Sequence, residues 1–202
     1  MAVRNVHVRH LPVDEDTAGT LIDSLAGPHD RLWPSREWPP MRFDRPLGVG
    51  AAGGHGPVRY RITGYAPGRW IRFRFTAPHG FDGFHEFAVQ REDGRTSLHH
   101  LLSIHARGPA RITWRVLWRP LHDALLEDCL DRAEEATTGA VREPARWSWR
   151  VRLLRALAER GSPIGSRRLR EEAHESVQRV SRAHREARRP GSRCRQPGRQ
   201  RP

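Results

Sequence analysis

Apolar and polar positions alternate or recur along most of the first 140 residues, and the two periods separate strands from helices. Val3 to Leu11 alternates as Val-Arg-Asn-Val-His-Val-Arg-His-Leu and predicts a strand, closed by Pro12. Asp14 to Asp16 supply an N-cap and first-turn acids for a short helix over about residues 15–26, with Leu21, Ile22 and Leu25 on one face; Gly27-Pro28 stops it. Residues 27–57 are dense in Pro and Gly and read as a loop that hides short extended pieces, because a structureless stretch that long is uncommon in a compact domain. A meander follows. Val58, Tyr60 and Ile62 share one face, then Ile71, Phe73 and Phe75, then Phe81, His85, Phe87 and Val89, then Leu98, His100, Leu102 and Ile104. The turns are Ala66-Pro67-Gly68-Arg69, Pro78-His79-Gly80 and the hairpin Glu92-Asp93-Gly94-Arg95. One apolar face per strand predicts a sheet covered on one side and open to water on the other.

The cover is a helix expected from about Arg115 to Ala140. Leu117, Leu121, Ala124, Leu125 and Ala133 recur at helical spacing, with Glu127, Asp131, Arg132, Glu134 and Glu135 on the opposite side. Pro120 falls inside this stretch, so the helix either starts near it or kinks there. Strand, short helix, loop, antiparallel strands and a long final helix make an α+β layout, with that helix laid across a curved sheet. Residues 144–160 predict a basic amphipathic helix carrying Trp147, Trp149, Leu153, Leu154 and Leu157. Residues 161–189 read as a charged helix, and the Arg/Pro/Gly/Gln-rich end from Pro190 to Pro202 as disordered. The organisation expected is a domain at 1–141 and a basic extension at 142–202.

Charge sharpens this division. Of the net +13, residues 1–141 carry only +1 (18 Arg against 17 acids), and residues 142–202 carry +12 (18 Arg against 6 Glu). All 36 basic residues are Arg. A chain-wide absence of Lys points to compositional bias rather than to selection for phosphate contacts, where Lys serves well as a point charge. The high pI is therefore a weaker sign of a polyanion partner than it looks. No apolar run approaches the roughly 20 residues of a membrane-spanning helix. The N-terminus lacks the apolar stretch of a signal peptide, and two cysteines, Cys129 and Cys194, are too few for a disulfide scaffold. A cytoplasmic location is the expectation.

Three phrases carry a resemblance: RLWPSREWPPMRFDRPLGVGAAGGHGPVRYRITGYAPGRWIRFRF, GFDGFHEFAVQREDGRTSLHHLL and RPLHDALLEDCLDRAEE. They are similar to the START/polyketide-cyclase (SRPBCC) superfamily, in an actinobacterial style, over about residues 1–140. The resemblance implies a helix-grip fold, in which a curved antiparallel sheet wraps a long C-terminal helix and an apolar ligand sits between them. It implies a lipid, a polyketide or another aromatic metabolite as the ligand class. It names no single activity, since one fold hosts many functions.

The candidate chemistry centres on histidine. His85 and His100 lie on the apolar faces of their strands, and His55 sits just before the first meander strand. Imidazoles around an apolar cavity can act as acid or base near neutral pH, or can hydrogen-bond and orient a ligand. A metal is the weakest reading of these three, since no HExxH or CxxC is present, and no cofactor is called for. His122 and Asp123 are neighbours on the helix and diverge by about 100°, too far for a direct dyad. Asp128, near the apolar stripe, either reaches a cavity as an acid or as an orienter of a histidine or, the favoured reading, pairs with an arginine of the sheet such as Arg59 or Arg61 at the edge of the core. Trp33, Trp38 and Met41 form a lid over a cavity mouth or a plug for the core's open end. The Gly48–Gly54 run lacks the GK[ST] of a phosphate loop, there is no GxSxG elbow, and Cys129 has no activating partner.

The pocket residues expected are therefore Trp33, Trp38, His55, Phe73, Phe75, His85, Phe87, His100, Leu102, Leu125 and Cys129, around a small apolar or amphipathic ligand. Two other readings stand beside this carrier. One is a cyclase/aromatase-like enzyme with His85 and His100 as proton-transfer groups. The other is an adaptor whose tail, through Arg146, Arg150, Arg152 and Arg155 with Trp147 and Trp149, meets an anionic membrane or nucleic acid. Oligomeric state is open.

Overall fold

A computed structural model describes residues 1–160. One compact unit spans Met1–Arg155, and a second, Ala156–Pro202, begins within the last helix. The expected charged helix at 161–189 and the disordered end lie outside the described residues. Seven strands form a single antiparallel sheet: β1 Ala2–Leu11, β2 Arg42–Phe43, β3 Ala52–His55, β4 Val58–Ala66, β5 Trp70–Ala77, β6 Phe81–Glu92 and β7 Arg95–Ala106. Their order is β1-β7-β6-β5-β4-β3-β2, so the first strand closes against the last. The two short pieces hidden in the Pro/Gly-rich segment are β2 and β3, which extend the sheet at its far edge. Asp93 and Gly94 turn β6 into β7 with positive φ at both positions (50° and 75°), the primed turn whose twist matches that of the strands. Register shifts at Arg59/Tyr60 and Ile62/Gly64 bend β4.

Helix α1, Glu15–Asp23, starts as the sequence predicts. The Asp14 carboxylate accepts from the Thr17 backbone N–H at 2.7 Å, and Glu15 and Asp16 fill the first turn. It buries Ala18, Gly19, Leu21 and Ile22. The long helical stretch runs through α2 (Ala110–Thr113), a π-helical turn (Trp114–Trp118) and α3 (Arg119–Thr138), and ends on Gly139 in the left-handed conformation. As expected, α3 starts beside Pro120, at Arg119, directly after the π-helical turn. In the widened turn the Arg119 N–H reaches back five residues to the Trp114 carbonyl, and Pro120, next in line, sits in the first turn of α3, where no N–H is needed. Helix α4 is Trp149–Arg160. Among the described residues no helix is long and apolar enough to cross a membrane.

Two expectations about which faces are buried are corrected. On α3 the buried residues are Leu125, Leu126, Cys129, Leu130, Ala133 and Glu134, whereas Leu121 and Ala124, and Leu117 in the π-helical turn, are half-buried. The buried stripe is therefore turned towards Leu126 and Leu130, and Glu134 belongs to it. On β1 the outward positions are Val6 and Val8, 46% and 42% exposed, and the inward ones are Asn5, His7 and Arg9. The physical reason is common to both. The helix is gripped on more than one side, and β1 presents polar side chains to the acidic side of α3 that would otherwise face water. The Arg9 guanidinium pairs with Asp131 at 2.9 Å, with Glu127 at 3.4 Å and, more closely, with Glu134.

Candidate functional site

The site grows from one diagonal of the β6/β7 ladder. Leu102 stands opposite His85, and His100 opposite Phe87, so the two histidines are diagonal neighbours on the face that looks at the long helix. Both are buried, and His85 Nδ1 lies 3.2 Å from His100 Nε2, one donating to the other. Aromatic rings wall them in. Phe73 and Phe75 stack on His85 at 4.8 and 5.0 Å between centroids, Tyr60 meets its edge at 5.1 Å, and Phe87 meets His100 at 4.8 Å. Burial holds both imidazoles well below their ordinary pKa, with the nearby His122 adding to the effect, so they are uncharged at neutral pH.

His122 continues this line from the helix side, its ring 5.1 Å from His100 and 5.9 Å from Trp114. Burial lowers its pKa too. At the other end His55, on β3, packs against Trp33 at 4.7 Å and Tyr60 at 6.0 Å, and burial pushes it down to about 3. The polar band lies on a seam between two apolar clusters. The larger contains Tyr60, Phe73, Phe87 and Leu125; the smaller contains Leu102, Ile104 and Trp114; Phe75 and Trp118 touch both. Along the seam, Tyr60 Oη, His100 Nδ1 and both ring nitrogens of His122 are buried and find no hydrogen-bond partner among the described residues. Buried polar atoms are normally paired, so four such atoms on one seam set this region apart from a finished core.

A second polar constellation flanks the first. His7, inward-facing on β1, directs Nδ1 to Glu127 Oε1 at 2.8 Å and Nε2 to Asp123 Oδ1 at 3.3 Å. Burial works against its charged form, but the hydrogen bonds and charges of Asp123 and Glu127 outweigh this and raise its pKa. Asn5 Nδ2 donates to the same Asp123 oxygen at 3.0 Å. His122 and Asp123 diverge as expected of helix neighbours, one towards the sheet centre and one towards β1, and their nearest polar atoms stay 3.7 Å apart, beyond a hydrogen bond.

The other expected pocket residues are placed as follows. Trp33 is buried and donates to the Pro39 carbonyl at 3.0 Å. Trp38 is also buried, but its indole N–H donates to Asp128 Oδ2 at 2.7 Å, as does that of Trp147 at 2.9 Å, and Arg155 lies over both rings. This corrects the pairing expected for Asp128. Arg59 instead binds the Gly56 and Val58 carbonyls, and Arg61 the Gly50 carbonyl. Both arginines point away from the helix-facing side of β4, where Tyr60 and Ile62 point in. Leu125 and Cys129 are buried on α3, the thiol pushed up by burial and so unreactive. Trp33, Trp38 and Cys129 have no ring contact with the His85–His100 pair; Phe73, Phe75 and Phe87 do.

Sequence reasoning left Tyr60, His122 and His7 out of the site. The signal for His122 was present: His122, Leu125, Leu126 and Cys129 follow the i, i+3, i+4, i+7 spacing of a buried face. No comparable signal marks His7, whose strand alternates in the opposite sense to the usual one. Ring-to-ring contacts run through this part of the interior. Depressions of about 460 and about 340 Å³ lie on the outer face of the sheet, around Val8, His99 and Leu101.

No family model and no curated protein matches the chain by sequence. Solved structures match by fold. Norcoclaurine synthase of Thalictrum flavum, a point mutant in complex with a transition-state analogue, is 11% identical and superposes with a TM-score of 0.52 over 69% of this chain and 96% of its own. The di-domain ARO/CYC StfQ from the steffimycin biosynthetic pathway is 12% identical, with a TM-score of 0.52 over 68% of this chain and 51% of its own. A protein from Thermobifida fusca is 15% identical, with a TM-score of 0.50 over 71% and 99%. The likeness is one of fold: a helix-grip, a curved antiparallel sheet around a long helix.

Proposed function

We propose that this START-like helix-grip chain binds a small, uncharged, amphipathic molecule of lipid, polyketide or aromatic-metabolite type along the histidine seam between sheet and long helix. The observation that carries the reading is the set of unpaired buried atoms on Tyr60, His100 and His122 between aromatic walls. Tyr60 Oη and the imidazole nitrogens offer hydrogen bonds to hydroxyl and carbonyl groups, and Phe73, Phe75, Phe87 and Trp114 supply apolar contact. No formal charge sits on the seam at neutral pH, so a carboxylate or ammonium ligand would be buried uncompensated there. Because the rings are in contact, the ligand enters by parting the two apolar clusters along the seam. Norcoclaurine synthase, holding its transition-state analogue on the same fold, supports an interior of this kind.

A second reading adds turnover. The His85–His100 contact of 3.2 Å joins two uncharged imidazoles that can hand a proton from one to the other beside a bound keto group. His85→Ala and His100→Ala abolish turnover under this reading, and only weaken affinity in a carrier. The adaptor reading rests on residues 146–155, where Trp149 is exposed but Trp147 donates to Asp128 and Arg155 lies over Trp38 and Trp147, so these two groups are already engaged within the chain.

Native mass spectrometry of the full chain, incubated with a lipid and polyketide extract, tests the binding. One retained compound of defined mass per chain, lost in His100→Leu, is expected. A protein that emerges free of any compound, or one whose retention is unaffected by His100→Leu, overturns it.

A further inference from the structure

The flanking constellation of His7, His122 and Asp123 is not used by the proposed ligand reading except at His122, and it has a chemistry of its own. We propose that His7 Nε2, His122 and the Asp123 carboxylate form a binding site for a divalent transition-metal ion, of which zinc is the representative case. The ligand atoms lie within 4.8 Å of one another, and they come from two elements, β1 and α3, locked together further along the helix by Arg9 with Glu127, Asp131 and Glu134. Two imidazoles and one carboxylate are the donor set that first-row transition metals take, and three protein ligands leave positions open for water or another molecule.

The surroundings fit ligation in three respects. First, the Nδ1–H of His7 is held at 2.8 Å by Glu127, which orients the ring and leaves Nε2 facing Asp123 and His122. A metal-ligating histidine characteristically donates its other N–H to a carboxylate in this way. Second, both nitrogens of His122 are buried without a partner among the described residues, although 16% of the side chain remains exposed, so no existing hydrogen bond is lost when it ligates. Third, the Asp123 oxygens are divided in role. Oδ1 faces His7, His122 and the Asn5 amide that steadies it, while Oδ2 lies 3.6 Å from Arg119 Nε. Asp123 is 36% exposed, which gives an ion a route in from solvent. The competing arrangement is a His7 imidazolium bridging two carboxylates. It explains His7 but leaves both nitrogens of His122 unpaired, and the metal engages His7 and one of those two nitrogens.

The test is a cobalt(II) and zinc titration of the full-length chain after chelator dialysis. Cobalt reports its ligand field by visible absorption, and zinc is measured by its competition with cobalt. One ion per chain is expected, displaced by zinc. Asp123→Asn and His7→Gln should each weaken binding by at least tenfold, and Glu127→Gln, which touches no metal, by about 10–100-fold. His55→Gln, outside the site, should bind as the unmodified chain does. Should a variant fail to fold, imidazole ¹⁵N shifts of the unmodified chain decide: His7 and His122 must move on zinc addition while His55 stays. Absence of one-to-one binding overturns the proposal, as does binding unaffected by Asp123→Asn and His7→Gln, or zinc-induced shifts confined to other histidines. The ligand reading shares His122 with this site, but the titration is run with no organic compound added and is decided by His7 and Asp123, which the ligand reading does not use, so the two can fail separately.

Discussion

His85 and His100 are diagonal neighbours on adjacent strands, and their ring nitrogens meet at 3.2 Å in a region where neither can reach water. A mutual bond of this kind makes each residue's cost depend on the other. Removing both partners of a buried hydrogen bond can be nearly neutral, whereas removing one leaves the survivor desolvated and unpaired. We expect His100→Leu to lower stability by about 1–3 kcal/mol and the double variant His85→Leu/His100→Leu to lower it by less than the single. Urea unfolding midpoints of the three variants measure this coupling directly.

The desolvated histidines, His85 buried and His55 half-buried, also set a pH dependence. His55, held down to about 3, and His85, held well below 6.5, stay uncharged in the folded chain at pH values where the unfolded chain binds protons at an ordinary pKa of 6.5. Above pH 6.5 the two states bind the same number of protons at these sites. As the pH falls below it the unfolded state gains protons first, so stability falls, for His55 down to about pH 3. Urea midpoints should therefore decline steadily as the pH is lowered from neutrality. In His55→Asn the decline should be shallower; an unchanged slope would show that His55 is not buried in its neutral form.

Arg9 is the keystone between β1 and α3. It is 20% exposed and faces Asp131, Glu134 and Glu127 together. Arg9→Met keeps most of the aliphatic stem but strands the buried Glu134, and should cost about 2 kcal/mol, less than a fully buried pair because part of the cluster meets water. Arg9→Lys should not restore it fully, since one ammonium cannot reproduce the fork that serves several carboxylates. Thermal unfolding of both variants is the measurement.

Gly19 gives a prediction in which local and tertiary preferences oppose each other. It lies inside α1, where alanine is intrinsically better by about 1 kcal/mol. A Cβ at this position would stand 2.0 Å from the Gly68 carbonyl oxygen in the turn between β4 and β5. The offending atom is backbone on both sides, so α1 must move off the sheet. Gly19→Ala should therefore destabilise the chain by more than the propensity gain, seen as a lower unfolding midpoint despite the better helix former.

The sequence by itself determined the element order, the α+β class and most of the turns. Period-2 and period-3.6 patterning, Pro12, Gly27-Pro28 and Asp93-Gly94 act through neighbours in the chain, and their effect is complete within a few residues. It also placed His85 and His100 on the helix-facing side, because strand alternation alone decides which face a residue takes. What only the tertiary structure decided is what those faces meet. Val6 and Val8 point outward and Asn5, His7 and Arg9 inward, against the usual sense, because β1 closes the sheet beside the acidic side of α3, more than 100 residues away. Asp128 receives two indole N–H groups rather than an arginine, because Trp38, 90 residues before it, and Trp147, 19 residues after it, converge on it. Pairings of that kind join groups far apart in sequence, and each is favourable only once the packing has removed both from water; no local pattern carries that information.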